Sequence, residues 1–415
     1  MTIGLAGSPI GPAAAQTPPA ADAPAPEASV ETPAIIPEGA DVPLPPAGAP
    51  TDAAEAPAPD EAAPPSYTLP SVAPRAPDRI PVPNAAEIAL WSRSGHADAS
   101  ARAFSHWNDA GEIPANCASC HSGEGFRNFH GLDGSEPGLR DEPFAIGGVV
   151  DCATCHNTGL TEIREIALPN GMMHPTAPGE QSCMTCHQGR ASGQAIADAT
   201  EAGDPDTPSS DLRFINPHYA TAAAMWLGGY AQLGYEYPGR DYEGRFTHAK
   251  PVATCAACHD PHSLEVASST CLTCHDSGDA KEIRISRTSF DGSGARNQGI
   301  YLDIQNNARR LHQMVLDYAA EIAGTPMIYD GARHPYFFAD ANADGVIDEA
   351  DGRPVAFTDW TPRLLRAAYN WKFVTADRGA HVHNPHYALQ LLHDSMADLA
   401  GAMGVDFAQT GVRRD

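Results

Sequence analysis

The sequence predicts a mainly helical and irregular fold that follows an extended acidic arm, and three observations support this prediction. All 10 cysteines of the 415-residue chain fall in Cys-x-x-Cys-His motifs. Residues 1–85 consist largely of Ala, Pro, Asp and Glu. After residue 286, apolar side chains recur with helical spacing, whereas the alternation typical of strands is scarce between the motifs.

The cysteine motifs are typical of covalent c-type haem attachment. The two thiols of a motif would join the porphyrin, and the histidine after the second cysteine would bind the iron axially from the same short turn. The five motifs are Cys117/Cys120/His121, Cys152/Cys155/His156, Cys183/Cys186/His187, Cys255/Cys258/His259 and Cys271/Cys274/His275.

Three other uses of cysteine explain the motifs less well. A thioredoxin-like redox pair needs one motif in a βαβ context. Zinc sites would pair the motifs but would not require a histidine directly after every second cysteine. A disulfide framework leaves the five histidines unexplained. The sequence therefore predicts five c-type haems and no cysteine left over.

The first 85 residues predict a disordered, extended arm. They hold more than half of the 38 prolines, and the first basic residue is Arg75. Such a segment cannot bury a core. The net charge of −26 argues against nucleic acid as a partner and favours a basic redox protein or a strongly hydrated extracellular setting. No apolar stretch is long enough to span a membrane.

The folded part divides into a predicted pentahaem cytochrome domain, 86–285, and a helical region, 286–415, that packs on the haems. In the first, Gly and Pro are frequent and the chain would wrap around a series of haems. In the second, apolar spacing predicts a helix over 301–322. Thr361-Pro362 and Asn384-Pro385 read as helix starts, and Gly401 and Gly404 as stops.

Each iron needs a second axial ligand or leaves a position open for chemistry. Histidines outside the motifs outnumber the irons, and methionines such as Met184, Met172 and Met173 are the rivals. His174, His312 and His386 are weaker candidates, and His130, His334, His381 and His393 read as ordinary. The stronger candidates for distal iron ligands are His96, His106, His218, His248, His262 and His383.

Several short segments outside the bare motifs carry a family resemblance over roughly 88–400. Examples are Ser-Gly-His-Ala-Asp at 94–98, Asn-Pro-His-Tyr at 216–219 and Cys-His-Asp-Pro-His at 258–262. With these the chain resembles a pentahaem member of the bacterial multihaem c-type cytochromes. The resemblance implies an exported electron-transfer protein and favours the same six histidines as distal ligands. Five irons need only five distal ligands, so at least one of the six is not a ligand.

A second metal motif is predicted in the helical region, between two helices. Residues 340–351 carry oxygen donors at calcium-loop spacing, with Gly345 at the turn and the Val346 carbonyl as a further donor. Asp351 stands where a bidentate Glu is usual, which predicts a weak site suited to extracellular calcium. The side-chain donors are Asp340, Asn342, Asp344, Asp348 and Asp351.

Three functions are compatible with these features. The favoured one is an electron carrier with bis-histidine haems, exported to the periplasm or beyond. It would work with redox partner proteins or as part of an extracellular electron conduit, a larger electron-transfer complex. An oxidoreductase acting on a small nitrogen or sulfur compound would need one open haem. A subunit of a haem filament would need self-association. Export is predicted from the haem motifs, because c-type haem is attached outside the cytoplasm. It is not predicted from the opening segment, 1–16, which is a poor signal peptide.

Overall fold

The computed structural model describes residues 83–415. The predicted arm, apart from its end, lies outside the described residues. The fourteen α-helices are α1 (Ala85–Trp91), α2 (Arg102–Ser105), α3 (Ala115–His121), α4 (Gly123–Phe129), α5 (Cys152–Cys155), α6 (Glu180–His187), α7 (Gly193–Thr200), α8 (Ala222–Leu227), α9 (Cys255–Cys258), α10 (Ser268–Leu272), α11 (Ile300–Tyr318), α12 (Pro362–Thr375), α13 (Ala380–His383) and α14 (Pro385–Ala402).

Strands are few and short within the described part of the chain. They form four separate antiparallel pairs, β1 with β2, β3 with β4, β5 with β6 and β7 with β8. The prediction of a mainly helical and irregular fold is confirmed to this extent. The strands are β1 (Glu112–Ile113), β2 (Phe144–Ala145), β3 (Glu165–Ala167), β4 (Met173–Pro175), β5 (Met327–Tyr329), β6 (Phe337–Ala339), β7 (Glu349–Ala350) and β8 (Arg353–Pro354).

The long helices begin where the sequence predicts. The Thr361 hydroxyl accepts a hydrogen bond from Leu364 N at 3.1 Å, with proline at the first helical position of α12. The Asn384 side chain caps α14 in the same way through Tyr387 N at 3.1 Å. Helix α11 follows the predicted apolar spacing and continues as a π-helical turn, Ala319–Ala323.

The core lies where α11, α12 and α14 pack together with α8 and the segment after it. Leu311, Leu365 and Leu392 are fully buried there, and truncating one such leucine to alanine would cost about 2–5 kcal/mol. The Asn370 amide pairs with the backbone of Tyr235, accepting from its N and donating to its O at 2.8 Å each. The helical region is thereby tied to the chain between the third and fourth motifs.

Residues 86–415 form one compact unit. The division predicted at residue 285 stays a prediction, because the described residues on either side of it share this unit. None of the helices found in residues 83–415 is both long and apolar enough to cross a bilayer.

The calcium-type loop, 340–351, begins directly after β6 and contains β7 near its end. In the chain the loop lies between α11 and α12, as expected, but short strands and not helices directly adjoin it. Asp340 accepts hydrogen bonds from Asp344 N and Gly345 N at 3.0 Å each, and Asp348 accepts from Ala341 N at 2.8 Å. Position twelve, Asp351, has a left-handed φ of 53° in the turn between β7 and β8.

These carboxylates bond mainly to the loop's own backbone. The Asp344 carboxylate accepts from Val346 N at 2.9 Å and from the Asn342 amide at 3.0 Å. Over the described residues, no three Asp, Glu, His or Cys side chains converge to hold a metal ion. Calcium binding stays a prediction from loop spacing.

Candidate haem centres

Most of the motif cysteines lie on short helices. In α3, α5, α6 and α9 both thiols of a motif belong to the helix. Residues three apart in a helix share a face. Each helical pair of thiols is therefore presented on one side, with the motif histidine directly after it.

Cys274 is the predicted attachment residue that departs from this arrangement. Helix α10 ends at Leu272, so Cys274 lies outside the helix, and it is exposed, as are both thiols of the second motif. Cys274 N and His275 N donate to the Cys271 carbonyl at 3.1 Å and 3.0 Å. The fifth motif is thus a hydrogen-bonded turn and not a helix, because the helix stops between its two thiols. Haem attachment at Cys274 stays a prediction from the motif.

Five histidines from outside the motifs face the five motif histidines, one to each. His218 faces His121 with ring centres 5.9 Å apart, and His262 faces His156 at 6.0 Å with the two ring planes 8° apart. The three other pairs are His96 with His187 at 6.5 Å, His383 with His259 at 6.3 Å and His248 with His275 at 6.2 Å.

This spacing fits a metal ion held between two imidazoles. An imidazole nitrogen lies about 2 Å from a bound transition metal, so two rings on one metal have centres about 6 Å apart. Two rings in direct stacking contact would lie closer together. The residues present therefore fit an iron with two axial histidines at every motif.

His106 is the sixth candidate, and the structure does not place it opposite a motif histidine. Its ring is exposed and packs edge-on against Trp107, with centres 4.8 Å apart. Trp107 in turn packs against His121. Trp107 therefore lies between His106 and the first motif's histidine, whereas His218 faces that histidine directly.

The backbone around His218 is held in an unusual conformation. His218 has a φ of 79° and Ala220 a φ of 55°, both in the left-handed region. The Asn216 side chain accepts a hydrogen bond from His218 N at 2.9 Å, which fixes the turn. Backbone strain of this kind collects where a side chain must be aimed.

Local hydrogen bonds orient other rings. Nδ1 of His121 donates to the Ala103 carbonyl at 2.6 Å, which leaves Nε2 for a metal. Asp260 accepts from His262 N at 3.0 Å and from Ser263 N at 2.7 Å, and so shapes the turn that directs His262 towards the second motif.

Burial keeps several of these rings in the neutral form that binds metal. It lowers the pKa of His187 to about 4, with the positive charge of His96 adding to the effect. It lowers the pKa of His218 to about 3, aided by Arg190. The pKa values of His96, His121 and His259 are also lowered, with burial the largest cause in each.

His383 behaves differently from the other rings. Burial alone would lower its pKa, but the charge and hydrogen bond of Asp377 prevail and raise it. Nδ1 of His383 lies 2.9 Å and 2.8 Å from the two Asp377 carboxylate oxygens. No feature of the sequence singled out Asp377 beforehand.

Neighbouring motifs are close in space. The Cys120 thiol donates to the Thr185 carbonyl, inside the third motif, at 3.5 Å, and the Cys186 thiol donates to the Ser119 carbonyl, inside the first motif, at 4.0 Å. The interaction of Cys183 with Cys255 of the fourth motif lowers the pKa of Cys183 to about 7 and raises that of Cys255. The third motif thus adjoins the first and the fourth.

The second and fifth motifs extend this series. The Ser182 hydroxyl, one residue before the third motif, donates to the Thr154 carbonyl inside the second motif at 3.2 Å. Cys258 and Cys271 interact electrostatically across the fourth and fifth motifs. All five attachment sites therefore form one connected group around the third motif.

None of the remaining histidines of the described residues has its ring opposite a motif histidine, and His130 instead bonds to the Thr185 hydroxyl of the third motif at 3.0 Å. His174 is buried with neither ring nitrogen bonded in the described part of the chain, and His312 stacks on Trp371 with ring centres 4.3 Å apart. Met184 is fully buried in the core, and Met173 is largely exposed. A histidine, not a methionine, faces each motif histidine.

Comparison with known proteins agrees with the cysteine motifs. The chain is 26% identical over 385 aligned residues to "C-type polyheme cytochrome OmcB" of Geobacter sulfurreducens, in strain DL-1 / KN400 and in strain ATCC 51573. It is similar to c-type polyhaem cytochromes. "C-type polyheme cytochrome OmcC" of strain ATCC 51573 matches at the same 26% identity.

The match covers 76% of this chain and 47% of the OmcB sequence. The chain thus spans about half the length of the curated relatives it matches. No protein-family model matches the chain, and no solved structure matches it. The similarity supports a multihaem c-type cytochrome.

Proposed function

We propose that this protein transfers electrons through five covalently attached c-type haems, each with two axial histidines. The observation that carries the proposal is the set of five histidine pairs, with ring centres 5.9–6.5 Å apart. Every motif histidine belongs to one pair, and no histidine is shared. The pairs proposed are His121/His218, His156/His262, His187/His96, His259/His383 and His275/His248.

The chain's own residues would do three things. The ten cysteines, Cys274 included, would hold the porphyrins by thioether bonds, the motif histidines would bind one face of each iron, and the distal histidines would close the other. Haem iron held in this way alternates between the ferric and ferrous states and carries one electron. With both axial positions taken by imidazole, no position is left for a small substrate, which favours a carrier over an oxidoreductase.

The closeness of the motifs supports transfer along the chain. The Cys120 thiol bonds to the Thr185 carbonyl of the third motif, and Cys183 interacts with Cys255 of the fourth, so the porphyrins held by these motifs would be near neighbours. The third motif would be the junction of the series. An electron could then enter at one motif and leave at another without a diffusing intermediate.

We propose export and a redox partner protein from the same features. Covalent haem attachment of this type takes place outside the cytoplasm. The net charge of −26 favours a partner with a basic docking surface, and association with such a partner should weaken as salt increases. Self-association into a filament would instead appear as a sedimentation coefficient that increases with protein concentration.

The experiment that tests the proposed function is haem counting combined with magnetic resonance. Intact mass should exceed the polypeptide by five haems, and haem staining should survive a denaturing gel. Electron paramagnetic resonance of the oxidised protein should show low-spin, bis-histidine iron. A large high-spin fraction that binds nitrite or hydroxylamine would contradict the carrier function and favour the oxidoreductase.

A further inference from the structure

A buried carboxylate is bonded to one of the five distal histidines. Both carboxylate oxygens of Asp377 lie within 2.9 Å of His383 Nδ1, and the Asp377 side chain is 3% exposed. Its oxygen Oδ1 also accepts from Gly379 N at 2.9 Å. The carboxylate is therefore fixed by the backbone on one side and by the imidazole on the other.

The backbone leaves this ring little freedom. A Cβ added at Gly379 would lie 2.5 Å from Cε1 of His383, so the glycine allows the ring to sit directly over the start of α13. With Nδ1 on the carboxylate, Nε2 is the nitrogen that can face the His259 side of the pair. The ring is thus oriented by Asp377 and Gly379 together.

No other ring of the five pairs has such a partner among the hydrogen bonds of the described residues. His121 is the nearest case, and its Nδ1 donates to a neutral carbonyl, that of Ala103, at 2.6 Å. The two remaining carboxylate–imidazole bonds, at His386 and His393, belong to histidines outside the pairs. The carboxylate makes the His259/His383 pair chemically distinct.

We propose that Asp377 tunes the iron bound by His259 and His383 to the lowest reduction potential of the five. A carboxylate on Nδ1 makes an axial imidazole more basic and gives it imidazolate character. A more basic ligand and a nearby buried negative charge both favour ferric over ferrous iron. Asp377 is a positioning residue, since it acts through His383, and the inference rests on the proposed function.

The test is a redox titration of the haem-loaded protein and its Asp377→Asn variant, followed by optical and magnetic resonance spectra. Asparagine keeps the shape but loses the charge. We expect a tenfold change in the ferric–ferrous equilibrium at one iron, a rise of about 59 mV for one electron. The potential of the His187/His96 iron should rise by less, because the Asp377 charge also acts on His187. The other three potentials should stay in place, and one low-spin signal should change its g values.

Asp394→Asn is the matched control. Asp394 is also a buried carboxylate bonded to a histidine Nδ1, that of His393 at 2.9 Å, and His393 belongs to no pair. Its five potentials should equal those of the parent protein. An equal upward shift in this control would overturn the inference, because it would reveal a general effect of charge.

The wild-type protein offers a second measurement. The iron that titrates at the lowest potential should be the one whose low-spin signal disappears in His383→Gly. If it is a different iron, or if Asp377→Asn shifts nothing while five bis-histidine haems are present, the inference is wrong and the proposed function stands. Fewer than five haems in the parent protein would instead overturn the proposed function.

Discussion

Replacing His218 by glycine should open one iron of the five and leave the fold intact. His218 has a φ of 79°, a conformation that costs an L-residue roughly 1–2 kcal/mol and glycine almost nothing. The substitution therefore removes backbone strain while it deletes the ring that faces His121. The loss of ring packing and the relief of backbone strain offset one another in part.

The expected magnitude follows from the pairing. His218 faces one motif histidine alone, so one iron in five should change from low spin to high spin. Covalent haem should stay at five, because attachment depends on Cys117 and Cys120 and not on the distal ring. Reduced protein should bind carbon monoxide at one haem, and free imidazole should restore the low-spin spectrum by filling the vacated position.

His106→Ala is the matched control for this variant. His106 is also a sequence candidate near the first motif, but its exposed ring packs on Trp107 and faces no motif histidine. Its spectra should equal those of the parent. The pairing would be refuted if His218→Gly kept all irons low-spin with five haems attached, or if His106→Ala produced the high-spin iron.

Three further predictions concern charge and stability. Lys372→Met should lower the potential of the first-motif iron by on the order of 50 mV, because it removes a buried positive charge that acts on His218; a redox titration would show this. Burial raises the pKa of Glu236 to about 7. The protonated side chain therefore contributes about 1–2 kcal/mol to stability, after allowance for partial exposure. This contribution is complete below the ordinary pKa of 4.5 and is lost as the pH rises through 7. Melting curves of Glu236→Gln should lack that part of the pH dependence. If residues 340–351 bind calcium, chelation should lower the melting temperature, and Asp344→Ala should abolish the effect without changing the haem spectrum.

Local features of the fold could be predicted from the sequence. The caps at Thr361 and Asn384 satisfy backbone donors three residues ahead, so short-range chemistry suffices to identify them. The scarcity of strands followed from the frequent glycine and proline between motifs. The strands around the calcium-type loop were missed, because two- and three-residue strands have no measurable alternation.

The histidine pairing could not be predicted, although five of the six candidates turned out to face a motif histidine. His96 and His187, or His259 and His383, are brought together by packing between distant segments, and no local pattern encodes their proximity. The same holds for Asp377, whose bond to His383 depends on the turn at Gly379.

Two differences between residues that look alike in sequence also depend on the path of the chain. His106 looked equivalent to His96, and only the packing around Trp107 separates them. Cys274 looked equivalent to the second cysteine of every other motif, yet it lies beyond the end of α10. The Cys-x-x-Cys-His spacing is the same in all five motifs, so it carries no information about where the helix stops.

The most direct test of the account is anomalous diffraction at the iron edge from crystals of the haem-loaded protein. The proposed pairing predicts five iron positions, each between the two imidazoles of one pair: His121/His218, His156/His262, His187/His96, His259/His383 and His275/His248. Fewer than five irons, an iron bound by His106 or a methionine, or an iron with an open axial position would contradict it.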